Sequence, residues 1–193
     1  MKTIIIESNR HDAHDEMTSW YFIPDSALAN AGKPFFIPDF ADCFEAHVAP
    51  VLRISRLGKS IGARFAGRYC TEMAPAVHFR APRLRDALLA AHHAPDMACS
   101  FDRSLIVGAF REIEDPDLIP EITMLANGKT AACWSRDQLR IPPSQTIEMV
   151  SANNTLKTGD FIIPALSSPV AIKIGDRLEI ACGTESLLWI AIR

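Results

Sequence analysis

The chain has 193 residues, 48% of them hydrophobic and 22% charged, with a net charge of −3. That length suits one domain, residues 1–193, with a substantial core. The charge balance excludes a global pull toward nucleic acid or an anionic membrane, and no apolar run is long enough to span a bilayer. The five cysteines (Cys43, Cys70, Cys99, Cys133 and Cys182) are odd in number and form no C-x-x-C motif. They read as free thiols in a reducing cytoplasm.

Taken in order, Thr3–Glu7 reads as a first strand, since its three isoleucines are too short for a signal-peptide core. Residues 10–19 are polar and loop-like. Pro24, Pro34 and Pro38 punctuate extended pieces at Trp20–Ile23 and Phe35–Ile37. Residues 44–55 form a strand, and Pro50 within it predicts an edge or a bulge. Ile61, Phe65 and Tyr69 fall at helical spacing and predict a helix over 60–72. A short strand at 76–79 and a helix over 83–93 follow, the helix with Leu84, Leu88 and Ala91 inward. Strands at 121–126 and 130–134 flank Asn127-Gly128, a pair suited to a type I′ turn. A helix near 144–152 and strands around 160–163, 176–181 and 187–192 complete an α+β pattern of mixed strands with a few short helices.

Glu45 and His47 stand two apart in the strand at 44–55. Side chains alternate along a strand, so this carboxylate and imidazole project from one face. They could begin a metal site. They could equally be a histidine filling a cavity and bonding its neighbouring acid.

Several motifs carry a resemblance. Leu156-Lys-Thr-Gly-Asp-Phe-Ile162 is followed by Gly175-Asp-Arg-Leu-Glu179. Upstream lie Ser100-Phe-Asp102 with Gly108, and Leu52-Arg-Ile-Ser-Arg-Leu-Gly-Lys-Ser-Ile61 with Arg64-Phe-Ala66 and Arg68-Tyr69. In order and spacing they resemble the fumarylacetoacetate hydrolase family, in particular a compact bacterial branch, over almost the whole chain. The resemblance implies a mixed β-roll or β-sandwich core and a homodimer. It also implies Mg²⁺- or Mn²⁺-dependent hydrolysis, decarboxylation, hydration or tautomerisation of small 2-oxo or 1,3-dicarbonyl acids. The metal would polarise a substrate carbonyl.

The chain departs from that pattern at the chemistry. The family's Glu-x-Glu pair is Glu45-Ala46-His47, and its later metal-binding Asp falls at His78. One carboxylate and two imidazoles in place of three carboxylates change the formal charge from −3 to −1. Such a set disfavours Mg²⁺ and suits Zn²⁺ or Fe²⁺. The catalytic lysine falls at Cys99. The N-terminal Gly-x-Asn-Tyr…His segment is Glu7-Ser8-Asn9-Arg10…Ala13-His14, and the Thr-Gly-Thr-Pro substrate loop is Pro164-Ala165-Leu166-Ser167. The resemblance thus makes Glu45, His47 and His78 the candidate metal ligands. Cys99 and His14 are the candidate catalytic groups, and Asn9, Arg10 and Ser167 the substrate contacts.

Two functions remain open. One is a pseudoenzyme that keeps the fold to bind a ligand, such as a small anion, or a partner. The other is an enzyme with a re-ligated metal at Glu45, His47 and His78, using His14 or a metal-bound water as base. Residues 53–85 hold eight basic side chains against Glu72 alone. They are spread over several elements without aromatic interleaving, which reads as solvated faces and ion pairs rather than a nucleic-acid surface.

Overall fold

The isoleucine run near the N-terminus is apolar throughout because it is covered on both faces. β1 (Lys2–Glu7) lies between two neighbouring strands, and Ile4, Ile5 and Ile6 are all buried. This is read from a computed structural model that describes residues 1–13, 17–183 and 185–193. His14 lies outside the described residues.

β2 (Ser19–Pro24) runs antiparallel to β1, and β3 (Leu28–Asn30) follows a 3₁₀ turn. β4 (Phe44–Ile54) and β5 (Cys70–Arg80) form a long antiparallel pair. α1 (Pro82–Ala90) and α2 (Asp96–Cys99) come next, then the short β6 (Leu105–Val107) and β7 (Arg111–Glu112). β8 (Ile122–Ala126) and β9 (Lys129–Trp134) form a hairpin ahead of α3 (Pro143–Asn153). β10 (Phe161–Ile163), β11 (Val170–Ile172), β12 (Arg177–Cys182) and β13 (Glu185–Ala191) close the chain.

The larger sheet has the order β2-β1-β10-β4-β5-β6-β3, with β11 also on β4 and β7 also on β5. Its β1–β10 and β3–β6 pairs are parallel and its other pairs antiparallel. The smaller sheet has the order β13-β12-β8-β9. Apolar side chains of both sheets, among them Val48, Val51, Met124, Trp134, Leu178 and Ile190, join one buried cluster. This is the expected α+β, mixed-strand architecture.

The Asn127-Gly128 turn forms as expected, with φ of 52° and 79° at its two central residues. Pro50 sits at a local edge, one of the two outcomes expected for it. It lies mid-strand, opposite Pro75, in a pair flanked by regular register on both sides. On its outer side β10 pairs Leu52 and Arg53 while β11 pairs Phe44 to Ala46, so Pro50 faces the gap between them. Pro75 faces the matching gap between β6 and β7, and its carbonyl accepts from the Gly108 N–H. Neither missing donor is needed where it sits.

The helix expected over 60–72 is a short 3₁₀ segment, Ala63–Arg68, because β5 already begins at Cys70. The strand expected at 76–79 is thus the interior of an eleven-residue one. The helix expected over 83–93 spans Pro82–Ala90 and buries no side chain fully. Leu84 and Leu88 lean on the core, while Ala91 is exposed. It stops at His92, which takes φ 59° while its N–H reaches Leu89 O and the His93 N–H reaches Leu88 O. That is a Schellman end with histidine where glycine is usual.

Candidate functional site

The β4–β5 ladder sets Glu45 opposite Arg80 and His47 opposite His78. Residues directly opposite in an antiparallel pair share a face, as do residues two apart in one strand. The four side chains therefore stand as a square on one face, with Glu45 and His47 on β4 and His78 and Arg80 on β5. His47, His78 and Arg80 are all buried.

His47 Nε2 lies 2.9 Å from Glu45 Oε1, and its Nδ1 lies 2.8 Å from the Ser167 carbonyl oxygen. Each ring nitrogen of His47 is thus taken up by a protein oxygen. Burial would raise the Glu45 carboxyl. The hydrogen bond and charge of His47, with Arg80 and Arg85 beyond, outweigh it and hold that carboxyl below its ordinary value.

His78 turns elsewhere. Its Nε2 lies 2.8 Å from the Cys99 carbonyl oxygen and must donate, while its Nδ1 accepts from Arg80 Nε at 3.3 Å. Complete burial, and then the Arg80 charge, drive its pKa well below the ordinary imidazole value, so it is a neutral Nε2–H tautomer.

Arg80 is the residue that sequence reasoning missed. Its Nη2 donates to Glu7 Oε1 at 2.6 Å and to the Tyr21 hydroxyl at 2.7 Å. Glu7 Oε2 accepts from Arg85 Nη2 at 3.3 Å. One carboxylate thus serves two guanidiniums. Burial and then the Arg80 charge act in opposite senses on Tyr21; burial wins, and the phenol stays protonated. The available signal was Arg80's place two residues after His78, on the same face of the strand.

A cavity of about 390 Å³ opens over this face. Its floor includes His47 and Arg80, and its walls come from Glu7–Arg10, Asp12, Ala13 and the Ala165–Pro169 loop. The three expected substrate contacts all reach it, but each is engaged in holding it together. Asn9 Nδ2 donates to the carbonyls of Ile141 and Pro164, and its Oδ1 accepts from the Ile141 N–H. Arg10 binds Asp12 through Nε and Nη2, and Gln138 through Nη1. The Ser167 hydroxyl accepts from the Val48 N–H and donates to the Ser168 carbonyl.

Cys99 lies behind the square. It lines a second, smaller cavity with Tyr21 and Arg85, and it is 2% exposed. Burial raises its thiol pKa despite the nearby charges of Arg80 and Arg85, the reverse of what an activated nucleophile needs. His92 and His93 are exposed at the end of α1.

The residues present do not fit a divalent cation. Among the described residues no group of three or more His, Cys, Asp or Glu side chains is disposed to hold a metal. Glu45 and His47 bond each other, His47 also meets the Ser167 carbonyl, and His78 bonds Cys99 and Arg80, so every ring nitrogen already has a protein partner. A buried guanidinium also shares their face.

The basic stretch is dispersed by the fold. Arg53 pairs with Glu72 and lies over Phe110, Arg83 pairs with Asp42, and Arg64 and Arg68 lie over the Phe65 ring.

No protein-family model and no curated protein matches the sequence. Solved structures do match. A fumarylpyruvate hydrolase from Pseudomonas aeruginosa, determined with Mn²⁺ and pyruvate, superposes with a TM-score of 0.91 at 16% identity, covering 100% of this chain and 89% of that one. A 5-carboxymethyl-2-hydroxymuconate delta-isomerase from Mycobacterium smegmatis superposes at 0.84 with 21% identity, covering 99% and 78%. The chain has the fold of the fumarylacetoacetate hydrolase family, as the ordered motifs implied. Among the described residues no helix is long and apolar enough to cross a membrane.

Proposed function

We propose that this protein keeps the fumarylacetoacetate hydrolase fold as a binding scaffold and has lost the divalent-cation chemistry of the enzymes it resembles. The supporting observation is the square on β4 and β5. The positions that resemblance assigns to metal ligands are a hydrogen-bonded Glu45–His47 pair and a neutral His78, each bonded to protein groups. Cys99, at the catalytic-lysine position, is a buried thiol with a raised pKa. The cavity above the square is within the usual size range of a small-molecule site.

Metal analysis of protein purified without chelator tests the reading, together with turnover assays on 2-oxo and 1,3-dicarbonyl acids with added Mn²⁺. The expected result is substoichiometric metal and no turnover above a heat-denatured control. A stoichiometric transition metal that is lost in His47→Ala, with measurable turnover, would instead establish a re-ligated enzyme.

A further inference from the structure

The second cavity, behind the square, has a volume of about 200 Å³. That is a little more than the ~150 Å³ that accommodates a benzene ring in a packed interior. Its walls are mainly apolar. Trp20 and Tyr21 come from β2, Leu89 from α1, and Pro95 from the turn before α2. Because α1 buries no side chain fully, Leu89 is left 43% exposed beside this space. Glu7 lines both cavities, and its bonds to Arg80 and Arg85 hold it as the wall between them.

The polar groups are few and their charges balance. Those that act most on the Cys99 thiol are Arg80 and Arg85 against Glu7 and Asp96, two of each sign. An incoming ion would meet like charges as well as opposite ones and would give up its hydration, whereas a neutral molecule gives up much less. Donors are left over. Among the described residues Arg85 makes a hydrogen bond through Nη2 alone, to Glu7. The Tyr21 hydroxyl accepts from Arg80, and no described residue accepts its hydrogen. Apolar walls with a few spare donors suit a small ring that carries an acceptor.

We propose that this second cavity binds a neutral, single-ring aromatic molecule with a carbonyl or hydroxyl oxygen, its ring against Trp20 and Leu89 and its oxygen toward Arg85. The site is separate from the cavity over the β4–β5 face and does not depend on whether a metal binds there.

Benzamide, benzoate and 2-naphthamide titrated into the full chain test the proposal by calorimetry. Benzamide should bind. Benzoate has the same shape with one negative charge and should bind at least about 10-fold more weakly, the usual scale for a charge buried without its own partner. The larger 2-naphthamide should also bind more weakly. Location is read from the indole N–H resonances of the three tryptophans. Benzamide should shift that of Trp20 and leave those of Trp134 and Trp189, both on the smaller sheet, in place. In Leu89→Ser, with circular dichroism confirming the fold, benzamide should bind about 5-fold more weakly, as roughly 40 Å² of apolar contact is removed. Leu89→Met should bind like the wild type. No benzamide binding, benzoate binding as tight as benzamide, an unmoved Trp20 resonance, or full affinity in Leu89→Ser overturns the proposal. Each of these leaves the metal-free reading of the other cavity standing.

Discussion

The two Gly-Asp turns and the β4–β5 face use the same chemistry, acids meeting N–H donors, but the acids of the turns are buried while the face lies under a cavity. In the first turn the Asp160 carboxylate accepts from the N–H groups of Lys2 and Lys157 and from the Lys2 ammonium, while its own N–H returns to the Lys157 carbonyl. In the second, Asp176 accepts from the Lys173 N–H and from Asn127 Nδ2, and its N–H returns to the Lys173 carbonyl. Gly159 and Gly175 take φ of 86° and 97° in equivalent places. Here each acid is filled from within the protein. On the β4–β5 face Glu45, His47, His78 and Arg80 also find protein partners, but His47 and Arg80 line a cavity. The turns hold the scaffold whatever the cavity does; the face forms the cavity's floor.

Breaking each side should give different costs. Arg80→Met removes the cation from a buried ion pair and should lower stability by about 3 kcal/mol in urea unfolding. Asp160→Ala strands the donors of Lys2 and Lys157 and should cost about 2 kcal/mol in the same assay.

The pH response separates the regions further. His78 is held neutral in the fold, its pKa well below the ordinary 6.5. As pH falls through 6.5, the unfolded chain takes up a proton that the folded one refuses. Stability should therefore decline below that pH, with a slope of at most about 1.4 kcal/mol per pH unit. Glu45 and Asp160 have depressed carboxyls, so their stabilisation is present above the ordinary carboxylate range and fades only at lower pH. Denaturation at a series of pH values should show the upper decline in the wild type and not in His78→Gln.

The smallest effect should be the most even. Gly159→Ala and Gly175→Ala meet no atom within 4 Å, so each should cost about 1 kcal/mol from backbone conformation alone. Clearly unequal values would show that the two turns are not equivalent.

Much of the scaffold was legible in the sequence. The Asn127-Gly128 turn is local, since a positive φ needs no distant partner, and the two Gly-Asp pairs were legible as motifs of the resemblance though their aspartates also reach Lys2 and Asn127. Glu45 and His47 could be placed together because strand periodicity is local too. The helix expected over 60–72 failed because its last residues, 70–72, belong to β5, whose pairing with β4 decides their conformation. Pro50 signalled an edge or a bulge, but which strands leave the gap was not legible, because β10 and β11 come from segments more than 100 residues away. Arg80 was overlooked for a similar reason. Its partner Glu7 arrives on β1, and nothing near either residue in the chain announces the other.

The central claim is that this face no longer holds a divalent cation. Electron paramagnetic resonance of Mn²⁺ titrated into chelator-free protein, at protein concentrations well above those at which a resident metal would bind, tests it most directly. The account predicts that the free-ion signal rises with added Mn²⁺ as it does in buffer. Loss of that signal up to one equivalent per chain, restored in His47→Ala or Glu45→Gln, would contradict it.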